Sequence, residues 1–214
     1  ATLTGSGTLV GNLDGGNVTL GGTASGVFTP NGNTGTGKTV QISGLSISGS
    51  ASGNYSLTQP TATADITPLD IAVTADPQTK VYGDSDPTFS YTHDVLLGGG
   101  SFSGALERDP GEDVGSYAIT MGTLDAGTNY TLNLTSDDLT ITKRAITVTA
   151  VTDSKVYDNT TDSSGVPTVT SGAIQFSDVE AFTQSFDTRH VDTGKTLTPA
   201  GTVNDGNGGL TYDI

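Results

Sequence analysis

Apolar residues along this chain recur at every second position, in short runs broken by glycine, proline and asparagine. Leu69, Ile71, Val73 and Ala75 alternate with polar or smaller neighbours, and Ile146, Val148 and Ala150 do the same. Tyr117, Ile119 and Met121 form another run, as do Tyr130, Leu132 and Leu134. Val40 and Ile42 precede Leu45 and Ile47, with Gly44 between the pairs as a candidate bulge. A period of two puts one face in a core and the other in water, so the pattern predicts half-buried β-strands. No stretch keeps helical spacing for three turns. Residues 109–113 (DPGED) and 125–129 (DAGTN) read as turns, because proline fixes φ and glycine accepts positive φ. The expected fold is all-β, built from small two-layer antiparallel modules. An Ig-like sandwich is favoured and a β-grasp-like arrangement is the alternative.

The pattern repeats. Lys80 and Lys155 open "KVYG" and "KVYD", 75 positions apart. "NYS" at 54–56 returns as "NYT" at 129–131, "ADIT" at 64–67 as "LTIT" at 139–142, and "DIAVTA" at 70–75 as "AITVTA" at 145–150. All keep the same spacing, which divides the chain into the closing part of one unit (1–68), a whole unit (69–143) and the opening part of a third (144–214). The expectation is an excerpt from a longer array, drawn out as an elongated rod in which neighbouring repeats of the same chain are the first partners.

Composition narrows the function classes. The 214 residues include 30 glycines, no cysteine and no tryptophan, with 23 acidic against 8 basic side chains and a net charge of −15. Such acidity excludes phosphate-backbone binding, which needs clustered Lys and Arg. Without cysteine there is no disulfide framework, thiolate nucleophile or Cys-based zinc site. No apolar run reaches the ~18 residues of a membrane span, so no membrane insertion is expected.

Candidate chemistry is sparse. "GNTGTGKT" at 32–39 fits the phosphate-loop pattern, but "VQISGLSIS" follows instead of a helix, and "DTGKTLT" at 192–198 repeats only Gly-Lys-Thr. A turn entering a strand explains both. The two histidines, His93 and His190, make neither a zinc site nor a triad, and no serine sits in a nucleophile elbow. An enzyme is not expected. Asp84, Asp86, Asp109, Glu112 and Asp113 are the candidate calcium ligands, since calcium takes oxygens from acidic loops; ordinary turn-forming Asp is the alternative. "GNLDGGN" (11–17) and "NDGNGG" (204–209) are only loosely similar to glycine-rich calcium repeats. Sequons occur at Asn17, Asn54, Asn129, Asn133 and Asn159, and the repeat-equivalent Asn54 and Asn129 read as structural.

With the repeats in register, "KVYDNTTDSSGVP" (155–167) resembles the opening of the YDG-type repeat, and "GTGKTVQISGLSISGSASGNYSLTQPTATADITP" (35–68) resembles its closing half. "KVYGDSDPTFSYT" (80–92), "FSGALERDPGEDVGSYAITMGTLDAGTNYTL" (102–132) and "LTIT" (139–142) resemble the MBG-type repeat, whose hallmark is a YG in the same place. The repeat signature is therefore Lys80, Tyr82 and Gly83 in one copy and Lys155, Tyr157 and Asp158 in the other. The third unit departs from the pattern in carrying Asp-Asn rather than Asp-Gly at 158–159.

The resemblance implies tandem modules of large exported bacterial adhesins, including filamentous two-partner-secretion types: an extracellular or cell-surface stalk with no catalytic residues. The alternative is a module that itself holds a surface or matrix glycan or protein, with Tyr82, Tyr91, Tyr117, Tyr130 and Tyr157 as stacking candidates. For the third unit's turn the expectation is structural: Tyr157 packs under it, while Asp158 and Thr160 bond its N–H groups.

Overall fold

The computed structural model describes Leu9 and residues 17–214. All but the last residue of the glycine-rich stretch at 11–17 lies outside these. The described chain is all-β, with two single-turn 3-10 segments at Ser52–Asn54 and Leu97–Gly99. It divides into two compact units. One comprises the described residues up to 71 with 98–101 and 126–132, the other 72–97, 102–125 and 133–214.

The first unit holds β1 (Thr19–Thr29), β2 (Gly35–Ser48) and β3 (Thr61–Ile66), paired antiparallel in that order. A bulge lies opposite Gly44, on β1 between Gly22 and Ser25, where the register slips by one residue. Gly22 and Gly44 both take positive φ there, and a Cβ on either would fall within 2.3 Å of the facing backbone. Asn129 closes the β1–β2 loop: its side-chain oxygen accepts from the Thr34 N–H at 2.8 Å, and the neighbouring Thr128 carbonyl accepts from the Thr34 hydroxyl at 2.9 Å. That is the structural role expected of this sequon.

The middle repeat supplies β4 (Leu69–Ala75), β5 (Gln78–Val81), β6 (Tyr91–His93), β7 (Glu107–Arg108), β8 (Gly115–Thr120), β9 (Tyr130–Thr135) and β10 (Asp138–Thr142). They form two sheets, β6-β4-β9 and β5-β10-β8-β7. Consecutive strands β4 and β5 lie in different sheets, so the chain changes layer at Asp76-Pro77. Ile71, Val73 and Ala75 are buried on alternate positions of β4, and Ile119, Leu139 and Ile141 are at most 1% exposed. One departure from the expected pattern is that β5 runs parallel to β10. A first strand parallel to a last one arises when a chain enters and leaves the same sheet in one direction.

The third repeat contributes β11 (Arg144–Ala145), β12 (Thr147–Thr149), β13 (Thr168–Ser171), β14 (Val179–Phe186), β15 (Leu197–Asn204) and β16 (Tyr212–Asp213). β12 pairs with β13 and β14 with β15, both antiparallel, while β11 and β16 are parallel. Within the second unit, Tyr82, Leu139 and Ile141 of the middle repeat share one buried cluster with Ile146, Phe182, Val203 and Tyr212 of the third.

Candidate functional site

The junction between the middle and third repeats is the most elaborated polar site in the second unit. Lys143 alone separates β10 from β11, so the two repeats meet without a linker. Tyr82 is 4% exposed, and its hydroxyl donates to Asp178 at 2.9 Å. Tyr212 donates to the same carboxylate oxygen at 2.6 Å and accepts from the Gln175 N–H at 2.8 Å. The Tyr82 ring meets Phe176 and Tyr212 edge-on at 5.4 and 5.6 Å, a favoured aromatic geometry. Burial, reinforced by the bond to Asp178, pushes the Tyr212 phenol up to about 12 and raises that of Tyr82 as well. Arg144 finishes the lock: its Nε donates to the Tyr82 carbonyl at 2.6 Å, and its Nη2 pairs with Asp84.

Gly83 explains the YG hallmark. Its φ is +83°, and a Cβ there would come 2.3 Å from the Gln175 side chain of the next repeat. In the third repeat the positive φ falls one residue later relative to the tyrosine, at Asn159 with φ 66°. Asparagine tolerates that conformation better than most residues with a side chain, so Asp-Asn stands in for Asp-Gly. Asp158 bonds the turn as expected, its Oδ1 accepting from the Thr160 N–H at 2.9 Å; the Thr160 hydroxyl, expected to bond a turn N–H, instead donates to Asp158 at 3.0 Å and accepts from the Lys155 ammonium at 2.8 Å. The Lys155 ammonium and these bonds hold the Asp158 carboxyl down at about 2.

Tyr157 corrects the expectation. It is 57% exposed and its hydroxyl donates to Asn159 at 3.2 Å, whereas Tyr82 is buried in the cluster it shares with the third repeat. Lys155 likewise bonds Asp158 and Thr160 near the surface, whereas the Lys80 side chain is 4% exposed.

The acidic loops gather around organic cations. Lys80 bridges Asp86 and Glu112, each at 2.6 Å, and Arg108 contacts the same two carboxylates, closing a four-membered ring of charges. Asp84 pairs with Arg144. Asp109 and Asp113 lend backbone oxygens to Arg108 and the Tyr117 hydroxyl. The structure thus brings Asp86 and Glu112 together on Lys80 and Arg108, with the Asp84 carboxylate taken by Arg144. Among the described residues no group of three or more His, Cys, Asp or Glu is arranged to hold a metal. In "NDGNGG", Asp205 accepts from the backbone N–H groups of Asn207, Gly209 and Thr211, which closes the turn on itself.

The phosphate-loop look-alike is a hairpin clamp. Lys38 donates to Asn31 at 3.0 Å and to the Asn33 carbonyl at 2.6 Å, and Thr39 continues into β2. Lys195 does the same in the second Gly-Lys-Thr, bonding the His190 carbonyl at 3.2 Å and Asp187 at 3.1 Å. His93 sits beside Phe102 at 4.5 Å between ring centres, and His190 lies in an exposed loop.

Sequence reasoning missed Asp178, Gln184, Asp153 and Arg144. Gln184 is buried and caps the backbone of Val151 with two 2.9 Å bonds, and Asp153 gathers the Ser164 and Gly165 N–H groups at 2.9 and 3.2 Å. Of these only Arg144 holds a marked place in the sequence, at the start of the third unit.

Two family models match the chain. The YDG domain family matches residues 1–64 and 141–214, more than half of the chain. The chain belongs to the YDG domain family. Residues 71–140, between its two YDG segments, match the MBG domain of YGX type. No curated protein and no solved structure matches. The YDG and MBG segments are repeat modules of a bacterial kind, and the one-residue offset of the positive-φ position separates the two types physically. No helix among the described residues is long and apolar enough to cross a membrane.

Proposed function

We propose that this chain is a structural spacer segment of a large bacterial cell-surface or biofilm-matrix adhesin, acting outside the cell to carry a binding region away from its anchor. The observation that carries this reading is the shared core at the MBG–YDG junction, where Tyr82 lies in one buried cluster with Phe182, Val203 and Tyr212 of the next repeat. A spacer under load needs joints that do not hinge, and a common apolar core linked by one residue resists hinging more than a flexible linker does. The bacterial repeat character of both domain types supports the adhesin context, and the charge of −15 keeps such a segment dispersed. Small-angle scattering of the whole chain tests the reading. An extended particle of uniform cross-section is expected, and a compact globule or a freely hinged pair would overturn it.

A further inference from the structure

Three successive residues of the MBG segment are each met by a different side chain of the YDG segment that follows. The Tyr82 hydroxyl donates to Asp178, Gly83 lies against Gln175, and the Asp84 carboxylate takes the Arg144 guanidinium. A tight turn presents the triplet. The Asp84 N–H closes it on the Val81 carbonyl at 2.9 Å, and Gly83 occupies the third position, where φ is positive.

The YDG side is built to receive that turn. Gln175 is fixed at both ends, its N–H donating to the Tyr212 hydroxyl at 2.8 Å and its side-chain amide to the Ala173 carbonyl at 3.2 Å. Phe176 holds φ 52°, which bulky residues seldom adopt, and its ring meets Tyr82 edge-on although the residue is 67% exposed. Such strain persists where the surroundings enforce it to present a side chain. Arg144 spans the turn, since it bonds both the Tyr82 carbonyl and Asp84.

The other signature turn matches only the tyrosine. By the 75-residue register, Tyr157-Asp158-Asn159 has Asp in the place of Gly83 and Asn in the place of Asp84. In the first place a Cβ would come 2.3 Å from Gln175 Cγ. In the second a neutral amide would leave Arg144 without its ion pair. The positive φ also falls at Asn159, two residues after the tyrosine instead of one, so the ring leaves its turn from a different position.

We propose that Arg144, Gln175 and Asp178 form a recognition site on the YDG segment for a Tyr-Gly-Asp turn. The site accepts an MBG repeat as the preceding neighbour and rejects a repeat with a Tyr-Asp-Asn turn. Selection comes from exclusion as well as attraction: the wrong turn meets a clash and an unpaired guanidinium. The spacer reading gains from it a choice of neighbour, encoded in one turn and three side chains.

Limited trypsin digestion of the whole chain, followed bond by bond by mass spectrometry, tests the proposal. Arg144 can enter the protease only after leaving Tyr82 and Asp84, so cleavage after Arg144 reports an open joint. Arg108, held in its ring of charges, reports unfolding of the MBG repeat itself. Gly83→Asn introduces a residue that tolerates positive φ, and should raise cleavage after Arg144 about tenfold relative to that after Arg108. Asp84→Asn, at a carboxylate 53% exposed, should raise it about threefold. Adding Gln175→Ala to Gly83→Asn should return the rate to that of Gln175→Ala alone. Equal increases after Arg108 and Arg144 in both variants overturn the proposal, as does unchanged protection in both. Failure of Gln175→Ala to restore Gly83→Asn also overturns it, because the cost would then lie in the turn and not in its reader. A compact particle in scattering would overturn the spacer reading and leave this one standing.

Discussion

Tyr82 and Tyr212, 130 positions apart in the chain, donate to one and the same oxygen of Asp178, at 2.9 and 2.6 Å. One carboxylate thereby joins the turn after β5 in the MBG segment to β16 in the YDG segment. Asp178→Ala strands two largely buried hydroxyls and should destabilise the second unit by about 2–4 kcal/mol, while Asp178→Asn keeps an acceptor and loses less. Urea denaturation of both variants checks the order.

The same phenols set an alkaline limit. Their folded pKa values lie above the ordinary 10.0, so the native state holds these protons more tightly than the unfolded one. Their contribution is complete below pH 10 and is lost as pH rises toward and beyond about 12. Stability against pH should fall in that window for the native chain, and the fall should flatten in a Tyr82→Phe, Tyr212→Phe variant.

The two signature tyrosines should behave oppositely. Tyr82→Ala opens a cavity in the shared core and should lower stability by about 3–5 kcal/mol. Tyr157→Ala, at 57% exposure, should change it by no more than about 0.5 kcal/mol. Equal losses in thermal melts would contradict the assignment of one to a core and the other to an exposed turn.

Gly83→Ala combines a positive φ of 83° with a clash against Gln175, and should destabilise by about 1–3 kcal/mol. A second change, Gln175→Ala, should recover the part due to the clash and leave the backbone part. Full recovery would mean that φ contributes nothing.

The ring of Lys80, Asp86, Arg108 and Glu112 gives an acid limit. The Arg108 bond leads in holding Asp86 below 3.8; burial alone would raise Glu112, but Lys80 and Arg108 outweigh it and hold it below 4.5. With folded values depressed, the contribution is present above about pH 4.5 and is lost as pH falls through the folded values. Lys80→Met should remove much of that acid dependence and destabilise by about 2 kcal/mol, less than a fully buried pair because the carboxylates are 35% and 47% exposed. As these carboxylates already hold cations, calcium should leave Tm where EDTA leaves it. A rise of several degrees with calcium would return the loops to metal binding.

The sequence by itself determined the all-β class, the repeat spacing and the module types, because period-two alternation and turn residues are local signals that survive without neighbours. Ile71, Val73 and Ala75 show this: their burial follows from alternation alone. It also identified Asp158 as a turn-closing residue, since an Asx turn is made within a few positions. Only the tertiary structure decided what Tyr82 and Tyr157 do. Both follow Lys-Val, yet burial depends on what lies against the ring, and that comes from residues up to 130 positions away. The acidic clusters show the same limit: Asp86 and Glu112 read as oxygen donors until long-range folding set Lys80 and Arg108 between them. Parallel pairing of β5 with β10 likewise depends on contacts far apart in the chain.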